Sequence, residues 1–140
     1  MPYLQLDLPA AYPAETKKAL ARRLGELYAE AMETTASMVN VGFRELGEGN
    51  LFRCGPDEPE PAAVIHRDIR RGRPPEQRLA FAQQLVAACA EQLGLASDRV
   101  AVEFTQHTAD EMYRNGSWGR EWSASERAET EGTKTALPTT

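Results

Sequence analysis

The chain has 140 residues, 41% of them hydrophobic, and carries a formal net charge of −5 at pH 7. This length predicts one domain, or two small halves that share one core, and the negative charge argues against a general nucleic-acid binder because phosphate contacts need a broad basic face. No apolar run approaches the roughly 20 residues of a membrane helix and no signal-peptide pattern is present, so we expect a cytoplasmic protein with neither nucleic-acid nor membrane partners.

The chain begins with Met1 and Pro2. Met1 is usually removed before a small residue, and Pro2 then exposes a ring secondary amine as the new terminus. That amine can accept or donate a proton, whereas the nitrogen of an internal proline cannot. The alternative is that Pro2 simply starts an edge strand, where the missing N–H does no harm.

Residues 1–55 have the pattern of a strand, a helix and a second strand. The segment "YLQLDL" alternates leucines with other residues, which is typical of a half-buried strand. Pro13 and Glu15 then open a helix. The apolar stripe of this helix consists of Leu20, Leu24, Leu27, Tyr28 and Ala31. The segment "MVNVGF" alternates again and predicts the second strand.

A linker at residues 56–62 separates this unit from a second one at residues 63–116. The surrounding segment "LGEGNLFRCGPDEPEP" is rich in Gly, Pro and acidic residues, which indicates a loop. In the second unit Pro74 and Pro75 open a helix that ends near Gly94, and "RVAVEF" is the last strand. The predicted apolar stripe of the second helix consists of Leu79, Ala82, Leu85, Val86, Cys89 and Leu93.

The two units are copies of one pattern. Sliding the sequence 61 positions along itself aligns Pro13 with Pro74 and continues without a gap to Gly55 over Gly116. So long a match indicates a duplicated β-α-β unit, in which a helix joins two parallel strands in a right-handed crossover. We therefore predict an α/β (α+β) fold: a tandem β-α-β repeat with pseudo-twofold symmetry, whose four-stranded sheet carries two helices on one face.

The alternation of the strands also predicts which side chains face the helices. Arg67 aligns with Leu6 and should therefore point toward the helices, which is unusual for a charged residue. The same pattern leaves Val100, Val102 and Phe104 available for the outer face of the sheet.

The sequence predicts that residues 117–140 form a C-terminal tail, part of which is disordered. Trp118 and Trp122 either fold back over the body of the protein or pack against a neighbouring subunit. From about Ala124 the tail has few apolar residues to bury, and such a composition is typical of a disordered segment.

The pseudo-twofold brings the start of the chain close to the basic turn "RRGR". If the first strands of the two units are antiparallel neighbours, Pro2 lies near Ile69 and Arg70. Arg70 and Arg73 can then hold an acidic substrate, because a guanidinium grips a carboxylate with two parallel hydrogen bonds. An apolar pocket or nearby arginines lower the pKa of an α-amino group from about 8, which suits proton transfer near neutral pH. The alternative is a solvated basic turn before a helix.

Metal, cofactor and thiol chemistry have little support in the sequence. Cys54 and Cys89 lack CxxC spacing and are expected to be idle thiols. His66 and His107 have no third ligand at a spacing suited to zinc, so each is expected to be structural or exposed. The sequence contains no GxGxxG or P-loop motif. We therefore predict neither a metal nor a cofactor.

With these features the sequence resembles the tautomerase superfamily and, within it, the cis-3-chloroacrylic acid dehalogenase group. The similarity runs from Pro2 to about Ala128. It rests on Pro2, "VGFRELGEGNLFRCG" in the linker, "RRGR" after the third strand, "VAVEF" in the last strand and "EWSASERA" in the tail. The resemblance implies the repeated β-α-β fold, a catalytic amino-terminal proline, and a homotrimer in which neighbouring sheets line a central core.

The resemblance also implies roles for individual residues. Pro2 matches the catalytic proline, and Arg70 and Arg73 match the paired arginines that bind the substrate carboxylate. Tyr28 stands where the dehalogenases place a histidine that helps hold the substrate. A phenol there can still donate a hydrogen bond, although a tyrosine packed in the core is the alternative.

The water-activating pair of the dehalogenases has no match. Glu103 stands in place of their tyrosine in the last strand, and Arg114 stands in place of their glutamate in the following segment. Glu111, one helical turn before Arg114, is either a substitute for that glutamate or an exposed turn residue. Arg114 is also a candidate third cation for a dianionic substrate.

Two hypotheses follow. The first is a cofactor-independent, tautomerase-type enzyme in which Pro2 moves a proton between carbon and oxygen of a small 2-keto, enol or unsaturated carboxylate. A variant of it is hydration, dehalogenation or decarboxylation of a three-carbon acid, which the missing water-activating pair disfavours. The second is a non-catalytic binding or assembly protein on the same scaffold, in which a retained Met1 would make the Pro2 nitrogen an amide.

Overall fold

The computed structural model describes residues 2–114, 116–119 and 122–123. Two long helices, α1 (Ala14–Ala31) and α2 (Pro75–Leu93), alternate with strands along the chain. In chain order the strands are β1 (Tyr3–Leu8), β2 (Asn40–Glu45), β3 (Phe52–Arg53), β4 (Glu60–Pro61), β5 (Ala63–Arg70), β6 (Val100–His107), β7 (Tyr113–Arg114) and β8 (Ser117–Trp118).

The main sheet contains four strands in the order β2-β1-β5-β6. Strand β1 runs parallel to β2, and β5 runs parallel to β6, whereas the central strands β1 and β5 are antiparallel. Each half of the chain is thus one β-α-β unit, and the two units join through their first strands. The α+β fold class that the repeat predicts is confirmed, with the two helices packed together over the sheet.

The core lies between the sheet and the two helices. Leu4, Leu6 and Leu8 alternate inward from β1 and are fully buried. Helix α1 buries most of its predicted stripe, namely Leu20, Leu24, Leu27 and Tyr28. Burying one such side chain contributes about 1.5–3 kcal/mol, so packing of its apolar face stabilises α1 more than intrinsic helix propensity does.

The buried face of α2 differs from the predicted stripe. Leu79 is 60% exposed, whereas Phe81, which the stripe omits, is fully buried. The Phe81 ring packs edge-to-face against Tyr28 of α1 at a centroid distance of 5.2 Å, and this contact between the helices decides which face turns inward. The buried residues of α2 are Phe81, Leu85, Ala88, Cys89, Ala90 and Leu93.

The prediction for the outer face of β6 is wrong. Val100, Val102 and Phe104 pack against the core on the helix side of the sheet. The β5–β6 register sets them opposite the inward-facing residues of β5, so all three share the buried face. The outer face of β6 instead carries polar residues such as Glu103, whose carboxylate lies 3.6 Å from the ring of His66.

The predicted linker contains some regular structure. Strands β3 and β4 pair with each other as a short antiparallel ladder. Arg99 forms an ion pair with Glu60, and Arg53 donates a hydrogen bond to the carbonyl oxygen of Asp98. These contacts fasten the linker to the 3-10 turn before β6.

A small hairpin of β7 and β8 follows the last strand of the main sheet. Trp118 of this hairpin is 64% exposed and packs edge-to-face on Tyr113 at 5.5 Å. Residues 124–140, for which the sequence predicts disorder, lie outside the described residues. Within the described ranges, no helix combines the length and apolar character needed to cross a membrane.

Candidate active site

Pro2 lies buried at the start of β1. Its carbonyl oxygen accepts a hydrogen bond from the amide of Asn40 at 3.1 Å, which ties the chain start to β2. Tyr3 pairs with Asp68 of β5, and one further step of this antiparallel register sets Pro2 opposite Ile69. The strand pairing therefore places Pro2 beside the end of β5, as the pseudo-twofold predicts.

Arg70 and Arg73 flank the tight turn that follows β5. Both are nearly buried, at 6% and 4% exposure. The amide of Arg71 donates a hydrogen bond to the carbonyl oxygen of His107 at 2.9 Å, so the turn stays attached to β6. Gly72 has a φ of +121°, which a residue with a side chain rarely adopts. The glycine of "RRGR" thus lets the chain reverse with both arginines at one end of the sheet.

The guanidinium of Arg73 is held by the end of α1 and by two aromatic rings. Its Nε donates a hydrogen bond to the carbonyl oxygen of Met32 at 3.2 Å. Its Cζ lies 5.7 Å from the ring centroid of Tyr28 and 5.0 Å from that of Trp122, both within cation–π range. The last carbonyl groups of a helix lack intrahelical partners and carry partial negative charge, so this position suits a buried cation.

Tyr28 belongs to the core. Its side chain is 1% exposed and packs edge-to-face on Phe81, which matches the alternative interpretation of this residue as a packed tyrosine. The face of the same ring also lies beneath Arg73. Tyr28 therefore helps to orient the arginine, while contact between its phenol and a substrate stays a prediction.

Trp122 folds back over the body of the protein, which is one of the two alternatives that the sequence left open. Its indole Nε1 donates a hydrogen bond to the carbonyl oxygen of Met32 at 3.1 Å, the same atom that Arg73 uses. Trp122 also lies against the turn after β5, since a Cβ added to Gly72 would lie 3.5 Å from the carbonyl oxygen of Trp122. Beyond the presence of a large apolar residue in a polar tail, nothing in the local pattern indicates this role.

Glu103 lies away from this end of the fold. It occupies the outer face of the sheet, its side chain is 66% exposed, and its carboxylate approaches His66. In the β5–β6 register Glu103 stands opposite His66, three residues before Ile69, beside which Pro2 lies. Both the face and the position along the strand therefore separate Glu103 from Pro2.

Glu111 caps a short 3-10 turn. Its Oε1 accepts hydrogen bonds from the amide of Thr108 at 3.1 Å and from the hydroxyl of Thr108 at 2.6 Å. These bonds, with the hydroxyl bond as the larger effect, lower the pKa of the Glu111 carboxyl. The arrangement matches the interpretation of Glu111 as an exposed turn residue.

Arg114 braces the turn before β2. Its Nη1 donates a hydrogen bond to the carbonyl oxygen of Met38 at 3.1 Å, and its Nη2 donates one to that of Ser37 at 3.0 Å. Two residues after Met38, the amide of Asn40 bonds to Pro2. Arg114 thus supports the segment next to Pro2 through backbone contacts, and its role as a third substrate-binding cation stays a prediction.

In the part of the chain that the structure describes, no group of three or more His, Cys, Asp or Glu side chains is arranged so that it could hold a metal ion. The Nε2 atom of His107 lies 3.5 Å from Oδ1 of Asp68, and its Nδ1 atom lies 3.7 Å from Oε2 of Glu111. Cys54 is exposed and Cys89 is buried, and both are free thiols. Burial raises the pKa of Cys89 to about 12, so this thiol is protonated and unreactive at neutral pH.

Comparison with known proteins agrees with this arrangement. The family model of macrophage migration inhibitory factor (MIF) matches residues 1–118. The crystal structure of N1, a member of the cis-3-chloroacrylic acid dehalogenase (cis-CaaD) family, is 26% identical and superposes with a TM-score of 0.78, over 97% of this chain and 92% of that chain. A search of curated proteins gave no significant match.

Two further structures share the fold. MIF from Toxoplasma gondii is 22% identical with a TM-score of 0.71, over 83% of this chain and 98% of that chain. A wild-type fused 4-OT, described as a symmetric trimer, is 20% identical with a TM-score of 0.74, over 83% of this chain and 94% of that chain. The resemblance inferred from the residues is thereby confirmed: the chain belongs to the macrophage migration inhibitory factor family of the tautomerase superfamily.

Proposed function

We propose that this protein is a cofactor-independent, tautomerase-type enzyme acting on a small 2-keto or enol carboxylate. Pro2, exposed by removal of Met1, is the acid/base group, and Arg70 and Arg73 bind the substrate carboxylate. The observation that carries the proposal is the antiparallel pairing of β1 with β5, because it sets Pro2 at the same end of the sheet as two nearly buried arginines.

Interconversion of an enol and a keto acid needs a group that takes a proton from one atom and returns it to another. The neutral Pro2 nitrogen accepts the enol O–H proton, and the electron pair delocalises into an enolate. The resulting Pro2 ammonium then donates its proton to carbon, so the amine is regenerated and no oxidant is consumed. The proline ring fixes the direction of the lone pair, which reduces the freedom lost in reaching the reactive geometry.

The two arginines have a second role in this reaction. Negative charge moves along the substrate as the enolate forms, and a fixed cation near that charge stabilises the transition state more than the starting acid. Arg73 suits such a role because the Met32 carbonyl and two aromatic rings already orient it. A preoriented guanidinium loses little side-chain entropy when it binds a carboxylate.

Hydration and dehalogenation have weaker support than tautomerisation. Both require a group that activates water beside the substrate. Glu103 lies on the outer face of the sheet, and Glu111 is engaged by Thr108. We therefore expect tautomerisation of keto acids to exceed any release of halide from a three-carbon haloacrylate.

We also propose that the chain assembles as a homotrimer. The support is the shared fold with the fused 4-OT described as a symmetric trimer. A closed cyclic assembly is a common arrangement for a soluble protein of this size. The second function hypothesis, a non-catalytic assembly protein on this scaffold, shares the trimer but not the chemistry.

Ketonisation assays test the proposed function. The ultraviolet rate with phenylenolpyruvate and with 2-hydroxymuconate is measured for the wild type, after intact mass has shown loss of Met1, and for Pro2→Ala. We expect a clear rate in the wild type that falls by at least about tenfold to a hundredfold in the variant, as is typical on loss of an acid/base group. Equal rates in both proteins would contradict the role of Pro2, and no rate in either would favour the assembly protein.

A further inference from the structure

Arg67 is a fully buried cation that the proposed chemistry does not use. It extends from the middle of β5 toward the helices and is 0% exposed. Its Cζ lies 5.1 Å from the ring centroid of Phe81 and 5.8 Å from that of Phe104. All three guanidinium nitrogens are buried without a hydrogen-bond partner among the described residues.

The charge of Arg67 persists at neutral pH. Burial lowers its pKa to about 9, whereas the nearby Cys89 thiol and Tyr28 phenol oppose that effect. Cys89 itself is protonated at pH 7, since its pKa is raised to about 12. The core therefore contains a positive charge with aromatic contacts and no carboxylate within hydrogen-bond reach among the described residues.

Arg67 and Pro2 enter the same layer of the fold. Leu4 of β1 pairs with Arg67 of β5. Pro2 stands two residues before Leu4, and residues two apart along a strand face the same side of the sheet. The Cα atoms of Pro2 and Arg67 are two residues apart along the strand, at a rise of roughly 3.3 Å each, and one strand apart, at a spacing of about 4.8 Å. The distance between these Cα atoms is therefore about 8 Å. Both Cα atoms lie beside the same buried layer, where protein rather than water surrounds the Arg67 charge and its field is screened less than in water.

We propose that Arg67 is a positioning residue that favours the uncharged, proton-accepting form of the Pro2 amine from within the core. The inference rests on the proposed role of Pro2 and adds a group, away from the substrate, that keeps this amine in its neutral form. A second positive charge nearby makes the ammonium form of Pro2 less favourable, and the neutral amine is the form that accepts the enol proton.

The other charged groups at this end of the fold cannot replace Arg67 during turnover. Arg70 and Arg73 are assigned to the substrate carboxylate, whose negative charge offsets theirs in the complex. Asp68 and His107 lie on the outer face, where they approach each other at 3.5 Å. Arg67 is on the inner face, where no carboxylate among the described residues reaches its nitrogens, so its effect on Pro2 continues while the substrate is bound.

Titration of the Pro2 nitrogen tests the inference without a substrate. The chain has nine prolines, but only a proline at a processed terminus carries a titratable amine, so ¹⁵N NMR of proline-labelled protein isolates it. We expect a wild-type pKa below the ordinary value of about 8. Arg67→Met should raise it by about one unit, while Arg67→Lys, which keeps the charge, should stay close to the wild type.

A second variant keeps the test decisive if Arg67→Met fails to fold. Cys89→Asp places a carboxylate beside the Arg67 guanidinium and offsets its charge without removing the arginine. Like Arg67→Met, this variant should raise the pKa of Pro2. The inference is overturned if the Pro2 amine of the wild type has a pKa at or above the ordinary value. It is also overturned if a folded variant in which the Arg67 charge is removed or paired leaves the pKa of Pro2 unchanged. The proposed function is judged separately by the ketonisation rates, and only a retained Met1 would defeat both.

Discussion

Arg73 illustrates how single residues at this site are held in place. A buried cation is costly unless its surroundings compensate for lost hydration. Here the carbonyl oxygen of Met32 and the rings of Tyr28 and Trp122 supply that compensation. The same contacts fix the orientation of the guanidinium before any substrate arrives, which is the property a carboxylate-binding arginine needs.

Replacing Arg73 with a neutral residue of similar length should weaken substrate binding. We expect Arg73→Met to raise KM for an enol carboxylate by roughly tenfold to a hundredfold, since a charge-assisted hydrogen bond contributes about 1.5–3 kcal/mol. The matched control is Arg71→Met, because Arg71 is an exposed residue of the same turn. Steady-state kinetics that show equal KM values for the two variants would remove Arg73 from the binding site.

An ion pair on the outer face predicts a pH effect on stability. Asp7 accepts hydrogen bonds from Arg44 at 2.7 and 2.9 Å, and this arginine lowers the pKa of the carboxyl from its ordinary value of 3.8. Because the folded pKa lies below the unfolded one, the stabilisation is present above pH 3.8 and is lost as the pH falls through the folded pKa.

Asp7→Asn tests this ion pair. The variant should unfold with a free energy about 1 kcal/mol lower than the wild type at pH 7, and the difference should shrink at pH 3. Urea denaturation at both pH values provides the measurement, with Asp57→Asn in the exposed linker as the control. A difference that is equally large at both pH values would mean that the charge of Asp7 is not its cause.

The hydrophobic pattern of β1 and of α1 was sufficient to predict which of their faces are buried. Leu4, Leu6 and Leu8 alternate without ambiguity, so their face of the sheet follows from the pleat. Helix α2 carries fewer charged residues than α1, which leaves its apolar face wide and allows more than one stripe. The choice between Leu79 and Phe81 depends on the ring contact with Tyr28, and a contact between distant elements has no signal in local periodicity.

The two α2 residues offer a matched pair of stability variants. Phe81→Ala should lower the free energy of unfolding by about 3–5 kcal/mol, because it removes a fully buried ring and leaves a cavity. Leu79→Ala should change it by no more than about 0.5 kcal/mol, since that side chain is largely exposed. Chemical denaturation of both variants checks the assignment, and a larger loss for Leu79→Ala would mean that α2 is rotated about its axis.

The candidate site was predictable where it depends on strand order. The repeat predicts that β1 and β5 are antiparallel neighbours, and this alone places Pro2 beside the end of β5. The residues that surround the site were harder to predict, because the contact of Trp122 with Met32 joins residues 90 positions apart in the chain. The polar outer face of β6 was missed because Glu103 and its neighbours alternate with apolar residues whose direction depends on the pairing with β5.

The mass of the whole assembly in solution tests the proposed homotrimer. We expect a sedimentation equilibrium mass of three times the 15.5 kDa of one chain, unchanged over a tenfold range of protein concentration. Asp57→Asn in the exposed linker serves as a control that should leave the mass unaltered. A mass equal to that of one chain at all concentrations would contradict the trimer.

The Pro2 amine is the proposed reacting group, and covalent labelling tests this role most directly. Incubation with 2-oxo-3-pentynoate, an acetylenic 2-keto acid, allows a neutral amine to add to the activated alkyne while the arginines hold the carboxylate. Intact mass and peptide mapping then locate the adduct. We predict one adduct per chain on Pro2 with parallel loss of ketonisation activity. Full activity after labelling, or an adduct confined to another residue, would contradict the role of Pro2.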